Sequence, residues 1–204
     1  MIWDIPSSAE REISPRTEAL LDHYMPEYDR SEHHSITVDA PPDVTYQAML
    51  SAPIGSSIRV QVLLRLRELP SRLTGRHCAD DINPRTASVL DLIGNGFFLV
   101  DEQPGHEIIL GKIGRFWLPR GGDEPEHQTI DAPLEPRTAA ALWNFRVARL
   151  GAGSVVHTET RVRCADDSAR RSFSLYWMLI APFSGFIRKQ MLRSIRDEAE
   201  SIGY

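Results

Sequence analysis

The C-terminal segment from Ser168 to Ile202 constrains the fold most, because its apolar residues recur every three or four positions over about ten turns. The repeating apolar positions are Phe173, Tyr176, Trp177, Ile180, Phe183, Ile187, Met191, Ile195, Ala199 and Ile202. The polar positions, predicted to fill the opposite face, are Arg188, Arg193, Arg196, Asp197 and Glu200. The pattern predicts one long amphipathic helix, which must bury its apolar side against the rest of the chain.

Two features inside that segment leave alternatives open. Pro182 removes a backbone donor and predicts a kink or a split near Ala181. A second interpretation makes residues 172–180 a final strand, with Pro182 in the first turn of a shorter helix. The uncharged run from Ser172 to Ile187 is too short to span a bilayer, which takes about 20 residues. We predict a buried core element there, with a membrane-surface segment as the alternative.

The first half of the chain predicts a strand followed by two short helices. Residues from His33 to Ala40 alternate between apolar and polar types, which is typical of a half-buried strand. Pro41, Pro42 and Asp43 then end the strand and begin a helix that reaches about Ser51. A second helix is predicted from Ile58 to Leu69.

The second half predicts a run of antiparallel strands. Their ranges are Phe97–Asp101, His106–Trp117, Ala140–Arg149 and Ser154–Cys164. Gly151-Ala-Gly153 predicts a tight hairpin between the last two. Alternation predicts that Trp143, Phe145, Val147, Val156, Thr158, Thr160, Val162 and Cys164 face inward. It predicts that Asn144, Arg146, His157, Glu159, Arg161 and Arg163 face outward.

This order of elements predicts an α+β fold, in which a curved antiparallel sheet wraps around the long C-terminal helix. Residues 1–32 are interpreted as an N-terminal arm and residues 33–204 as the domain. A gap between such a sheet and its helix is a typical place for a small apolar ligand.

Several segments resemble the helix-grip superfamily, which includes START domains, Bet v 1-like (SRPBCC) proteins and bacterial polyketide cyclases. These segments are Ile36-Thr-Val-Asp-Ala-Pro-Pro-Asp-Val-Thr-Tyr46, His157-Thr-Glu-Thr-Arg-Val162, Tyr176-Trp177 and Ser184-Gly-Phe-Ile-Arg188. The likeness covers roughly residues 33–202 and is greatest to a bacterial branch of unknown function. Residues 1–32 and the insert at about 118–137 lie outside the common pattern. The resemblance implies a cavity for a small hydrophobic or aromatic molecule.

Composition argues for a cytoplasmic protein. The 23 basic and 28 acidic side chains give a net charge of −5, which argues against nucleic-acid binding or wholesale binding to anionic membranes. Cys78 and Cys164 are too few for a disulfide framework, and residues 1–10 lack the pattern of a secretory signal. Oligomeric state is left open.

No sequence motif predicts a catalytic residue, a cofactor or a metal. His77, Cys78, Asp80 and Asp81 could each ligate a metal, but adjacent side chains in a loop rarely converge on one ion. His33 and His34 should point to opposite faces of their strand. The nucleophile-elbow, Cys-x-x-Cys and phosphate-loop patterns are absent from the sequence.

The predicted ligand-binding residues are the inward aromatic side chains and two threonines. They are Trp117, Trp143, Phe145, Thr158, Thr160, Tyr176 and Trp177. Buried indole N–H and hydroxyl groups need partners, which a ligand, a water or a backbone carbonyl could supply. We therefore predict a non-catalytic binding protein for a small hydrophobic molecule.

Two other functions are kept as alternatives. A cyclase/aromatase or dehydratase would need an acid or base in the cavity. The candidates for that role are His106, Glu107, Arg115 and Tyr176. The third hypothesis is an interaction protein whose cavity is vestigial.

Overall fold

The computed structural model describes residues 19–53, 87–94, 96–118 and 129–202. The α-helices in these ranges are α1 (Leu20–Tyr24), α2 (Pro42–Ser51) and α3 (Asp167–Ile202), and a 3₁₀ helix covers Leu90–Leu92. The strands are β1 (Arg30–Val38), β2 (Phe98–Gln103), β3 (Glu107–Gly114), β4 (Ala139–Leu150) and β5 (Gly153–Cys164). The predicted α+β class is confirmed. The predicted helix at 58–69, the polar loop at 77–81, most of the predicted arm and half of the predicted insert lie outside the described residues.

The five strands form one antiparallel sheet in the order β1-β5-β4-β3-β2. Within the part of the chain that the structure describes, its edges are therefore β1 and β2. Consecutive strands pair from β2 to β5, whereas β1 crosses over to pair with β5. Arg30 lies opposite Val162, and Val38 lies opposite Ser154. The predicted first strand is confirmed, although β1 begins three residues before His33.

The hairpin between β4 and β5 closes as the sequence predicts. Leu150 pairs with Gly153, which leaves Gly151 and Ala152 as the two turn residues. Gly151 has φ of 59°, the sign that a type II′ turn requires at its first central position. The turn fixes the register of the two longest strands and so places Trp143, Phe145, Thr158 and Thr160 beside one another.

A capped N-terminus starts the long C-terminal helix. The Asp166 carboxylate accepts a hydrogen bond of 2.8 Å from the Ala169 backbone N–H, as an N-cap residue does. The helix then runs through Pro182 to Ile202 without interruption. The alternative that made residues 172–180 a strand is therefore wrong, and so is a split of the helix at Pro182. The described residues contain no helix that is long and apolar enough to cross a bilayer.

The face of the sheet toward α2 and α3, here called the front face, carries two apolar clusters. The Tyr46 cluster joins α2, the C-terminal half of α3 and the sheet, and its members include Tyr46, Met49, Ile108, Phe145, Val147, Val156, Met191 and Ile195. The Phe173 cluster lies at the N-terminal end of α3 and includes Ala139, Val162, Cys164, Ala169 and Phe173. The α3 helix is thus anchored to the sheet at both ends.

The opposite face, here called the back face, is also buried in part. A third apolar cluster contains Leu21, Met25, Ile109, Ile113, Ile130, Ala140 and Leu142. The sequence predicts the outward direction of Asn144 and Arg161 correctly, but both are buried. The outward direction does not expose them to solvent, because α1 covers that side of the sheet.

Candidate functional site

The strand register places four of the predicted ligand-binding residues side by side on the front face. One row across the sheet contains Glu32, Thr160, Trp143 and Leu110, and the adjacent row contains His34, Thr158, Phe145 and Ile108. Both rows cross β1, β5, β4 and β3 between the two anchored ends of α3. The predicted inward direction of these β4 and β5 residues is confirmed.

The polar atoms of Trp143 and Thr158 satisfy one another within the sheet. The Trp143 indole N–H donates to the Thr158 hydroxyl over 2.7 Å. That hydroxyl in turn donates to the Asn144 backbone carbonyl over 2.8 Å. The Trp143 ring also lies 4.8 Å from the Phe145 ring, centroid to centroid. The indole is thereby held in one orientation, with its ring at the front face.

Arg188, which is not among the predicted ligand-binding residues, reaches the same place from α3. Its guanidinium donates to the Thr160 hydroxyl over 2.7 Å and to the Ser184 hydroxyl over 3.2 Å. It also lies over the Trp143 ring, 5.0 Å from the centroid. Burial lowers the pKa of Arg188, while the nearby Glu32 carboxylate opposes that shift. An arginine nevertheless stays protonated in a protein, so the site contains a fixed buried cation.

The expectation that Arg188 lies on the solvated face of the helix is wrong. It is buried together with Met191 and Ile195, which follow it by three and seven residues. That spacing is a signal that the sequence contained, because those positions share one face of a helix. The charge of the guanidinium favours a position in solvent. The hydrogen bond to Thr160 and the nearby Glu32 carboxylate compensate for the cost of its burial.

Glu32 supplies the opposite charge from β1. Its Oε1 accepts a 2.9 Å hydrogen bond from the His34 ring. Its Oε2 lies 3.6 Å from the Arg188 Nε and, although buried, has no hydrogen-bond partner among the described residues. Buried carboxylate oxygens are normally paired, so this atom is an available acceptor in the site. Sequence reasoning assigned residue 32 to the arm and gave no signal for it.

The other three predicted residues lie together elsewhere. Trp117, Tyr176 and Trp177 surround Phe173, at ring-centroid distances of 5.8, 6.0 and 5.6 Å. The predicted set is therefore divided between the Arg188 site and the Phe173 cluster. Residues 174–187 of α3 connect the two groups, and none of them is fully buried. This is the longest part of the helix without a buried residue, so the prediction of a buried core element at 172–187 is wrong for most of its length.

Three of the four residues nominated for acid–base catalysis lie in separate places. Glu107 is buried on the back face, where it accepts a hydrogen bond from Asn144, whereas Arg115 is exposed. Tyr176 packs in the Phe173 cluster. Burial, followed by the nearby Asp29 carboxylate, raises the pKa of the Cys164 thiol to about 11, which disfavours a thiolate nucleophile.

Two further features of the described residues bear on ligands. Within the described ranges, no three histidine, cysteine or acidic side chains are grouped so that they could hold a metal ion. An open depression of about 490 Å³ lies at the far end of β1, beside the β4–β5 turn, with Arg196 and Glu200 on its α3 side. None of the predicted ligand-binding residues lines it.

Comparisons with known proteins give matches of structure alone. No family model and no curated protein matches the chain. The Mll3558 protein from Rhizobium loti is 13% identical, with a TM-score of 0.39 over 83% of this chain and 96% of that one. CalU16 from Micromonospora echinospora is 13% identical, with a TM-score of 0.30 over 84% and 85%. Ara h 8.0201 is 11% identical, with a TM-score of 0.30 over 84% and 98%.

Proposed function

We propose that this chain is a START-like, helix-grip protein that binds a small hydrophobic or aromatic molecule between the sheet and α3, without catalysing a reaction. The observation that carries the proposal is the Arg188–Glu32 pair beside Trp143, in which the Arg188 side chain and the Glu32 Oε2 atom are buried. Apolar clusters lie on either side of it.

The cost of burying the charges of Arg188 and Glu32 favours a binding role over a purely structural one. Removing two charges from water is costly, and apolar residues of similar size often stabilise a core as well or better. Here the pair also leaves Glu32 Oε2 without a donor. A ligand with an aromatic body and a hydroxyl group would bury its ring against Trp143 and donate a hydrogen bond to that oxygen.

Binding of 2-naphthol and of 2-methylnaphthalene tests the proposal, because the two molecules have similar size and differ in the hydroxyl donor. We expect 2-naphthol to shift the Trp143 indole resonance in NMR spectra and to bind more tightly than the methyl compound. Glu32→Gln should reduce the affinity for 2-naphthol about tenfold, which corresponds to about 1.4 kcal/mol. Glu198→Gln, a change on the exposed side of α3, is the matched control.

Two outcomes would contradict the proposal. One is that neither compound shifts resonances of the Trp143 and Thr158 rows at millimolar concentration. The other is that both bind there equally and Glu32→Gln changes neither affinity. A chain that fails to bind any member of a wider panel of apolar compounds would favour the interaction protein with a vestigial cavity.

A further inference from the structure

The middle of α3 exposes large apolar side chains along one stripe. Leu175, Met178, Leu179 and Phe183 are 68, 69, 69 and 44% exposed. Their spacing of three and four residues places them on one side of the helix, and Pro182 lies within the same stripe. Contiguous exposed apolar surface on a folded domain is typical of a site that binds a partner or a membrane.

Positive charge lies at both ends of this stripe. From Ser168 to Arg196 the sequence contains six basic residues and no acidic one, although the whole chain has a net charge of −5. Arg171 precedes Met178 by seven residues and Lys189 follows it by eleven, which are close to two and three turns. Arg171, Lys189 and Arg193 are exposed and make no ion pair with the described part of the chain.

We propose that this face of α3, from Arg171 to Arg193, binds the surface of an anionic lipid bilayer with the helix axis parallel to the membrane plane. The apolar stripe would enter the boundary between headgroups and acyl chains, and the three basic residues would contact the anionic headgroups. The face is about 33 Å long. The inference does not depend on the proposed ligand site, which lies on the opposite side of the helix.

Charge favours a lipid surface over a second copy of the chain. Two α3 faces in antiparallel contact would place Arg171 of one copy near Lys189 and Arg193 of the other. The exposed stripe has no acidic residue that could offset this repulsion. Acidic residues elsewhere on the protein matter less, because a Debye length of about 10 Å at 0.1 M salt screens distant charges.

Co-sedimentation of the full chain with vesicles tests the proposal. We expect binding to phosphatidylcholine vesicles that contain about 30% phosphatidylserine, and little binding to phosphatidylcholine alone. Raising the salt to about 0.5 M should weaken the binding. The double variant Leu175→Glu/Leu179→Glu should bind at least about tenfold more weakly, because it places two carboxylates in the apolar stripe. Lys189→Glu/Arg193→Glu should also bind more weakly.

The matched control is Leu90→Glu/Leu99→Glu, which alters two leucines that are 46 and 44% exposed outside α3. This control should bind vesicles as the unmodified chain does, and circular dichroism should show that every variant is folded. The proposal is wrong if the unmodified chain does not bind phosphatidylserine vesicles, or if the α3 and control variants bind equally. It is also wrong if light scattering shows a dimer that Leu175→Glu/Leu179→Glu converts to monomers, because the face would then be an interface between copies.

Discussion

At the scale of single residues, the ionisation of His157 connects pH to stability. Its imidazole lies on the back face, where one ring nitrogen is 3.3 Å from that of His33. Burial, followed by the charges of Arg146 and His33, lowers its pKa from 6.5 to about 4. Below pH 6.5 the unfolded chain therefore binds a proton that the folded chain does not. The free energy of unfolding is highest above that pH and falls as the pH decreases toward 4.

We expect His157→Gln to flatten this part of the pH dependence. The lowered pKa of His157 should change the free energy of unfolding by about 2 kcal/mol over this pH range, after allowance for solvent screening of a partly exposed ring. Urea unfolding at intervals between pH 7 and pH 4 measures it. His23→Gln, at an exposed position of α1, is the control and should keep the slope of the unmodified chain. Equal slopes for the His157 variant and the unmodified chain would show that this imidazole is not responsible.

The residues of the candidate site differ in how far the sequence could predict them. The inward direction of Trp143, Phe145, Thr158 and Thr160 was predicted because strand alternation depends only on neighbours in the chain. Glu32 and Arg188 were not found, because their burial depends on each other across the fold. Chemistry alone favours solvent for each of them, and only the approach of α3 to β1 creates the pair.

At the scale of elements, α1 depends on tertiary contacts. Five residues are too few for a stable helix in water, because helix nucleation is costly. The Arg161 guanidinium donates to the Met25 carbonyl over 2.9 Å and pairs with Asp22 over 2.6 Å. Its Nε also donates to Glu159 over 2.8 Å. One arginine thus holds the α1 backbone against the back face, and a sequence pattern cannot show such a contact.

Arg161→Met should therefore destabilise the protein by about 2 kcal/mol, because it leaves a buried carbonyl and a carboxylate without their donor. The urea midpoint measures the change, and cleavage by protease near residues 20–25 should become faster. Arg149→Met, at an exposed position of β4, is the matched control and should change stability little. An unchanged midpoint and cleavage rate for Arg161→Met would contradict this account of α1.

The α3 helix gives a second prediction at this scale. Pro182 has no backbone N–H, so it removes the hydrogen bond to the Met178 carbonyl one turn earlier. Because Pro182 is exposed, replacement by alanine meets no packed neighbour to disturb. Pro182→Ala should stabilise the protein by about 1–3 kcal/mol. Thermal unfolding measures the effect, and Ala181→Gly should shift stability in the opposite direction. A lower melting temperature for Pro182→Ala would show that the proline fits a bend that the helix needs.

At the scale of the whole molecule, sequence patterns predict the elements better than their arrangement. The hairpin of β4 and β5 follows from a glycine turn between two alternating runs. The pairing of β1 with β5 joins distant parts of the chain, and nothing local in either strand specifies it. The sequence did not predict burial of the back face, because α1, which covers it, lies in the predicted arm.

The strand order also predicts the order of folding. The hairpin of β4 and β5 closes a two-residue turn, whereas β1 must close a long loop before any of its hydrogen bonds forms. Pulse-labelling hydrogen exchange during refolding should therefore show protection of β4 and β5 amides before those of β1. The β2 strand provides the control, because it is also an edge strand but pairs locally with β3. If β2 is as late as β1, edge position and not loop length sets the order, and simultaneous protection of β1 and β5 would contradict the prediction.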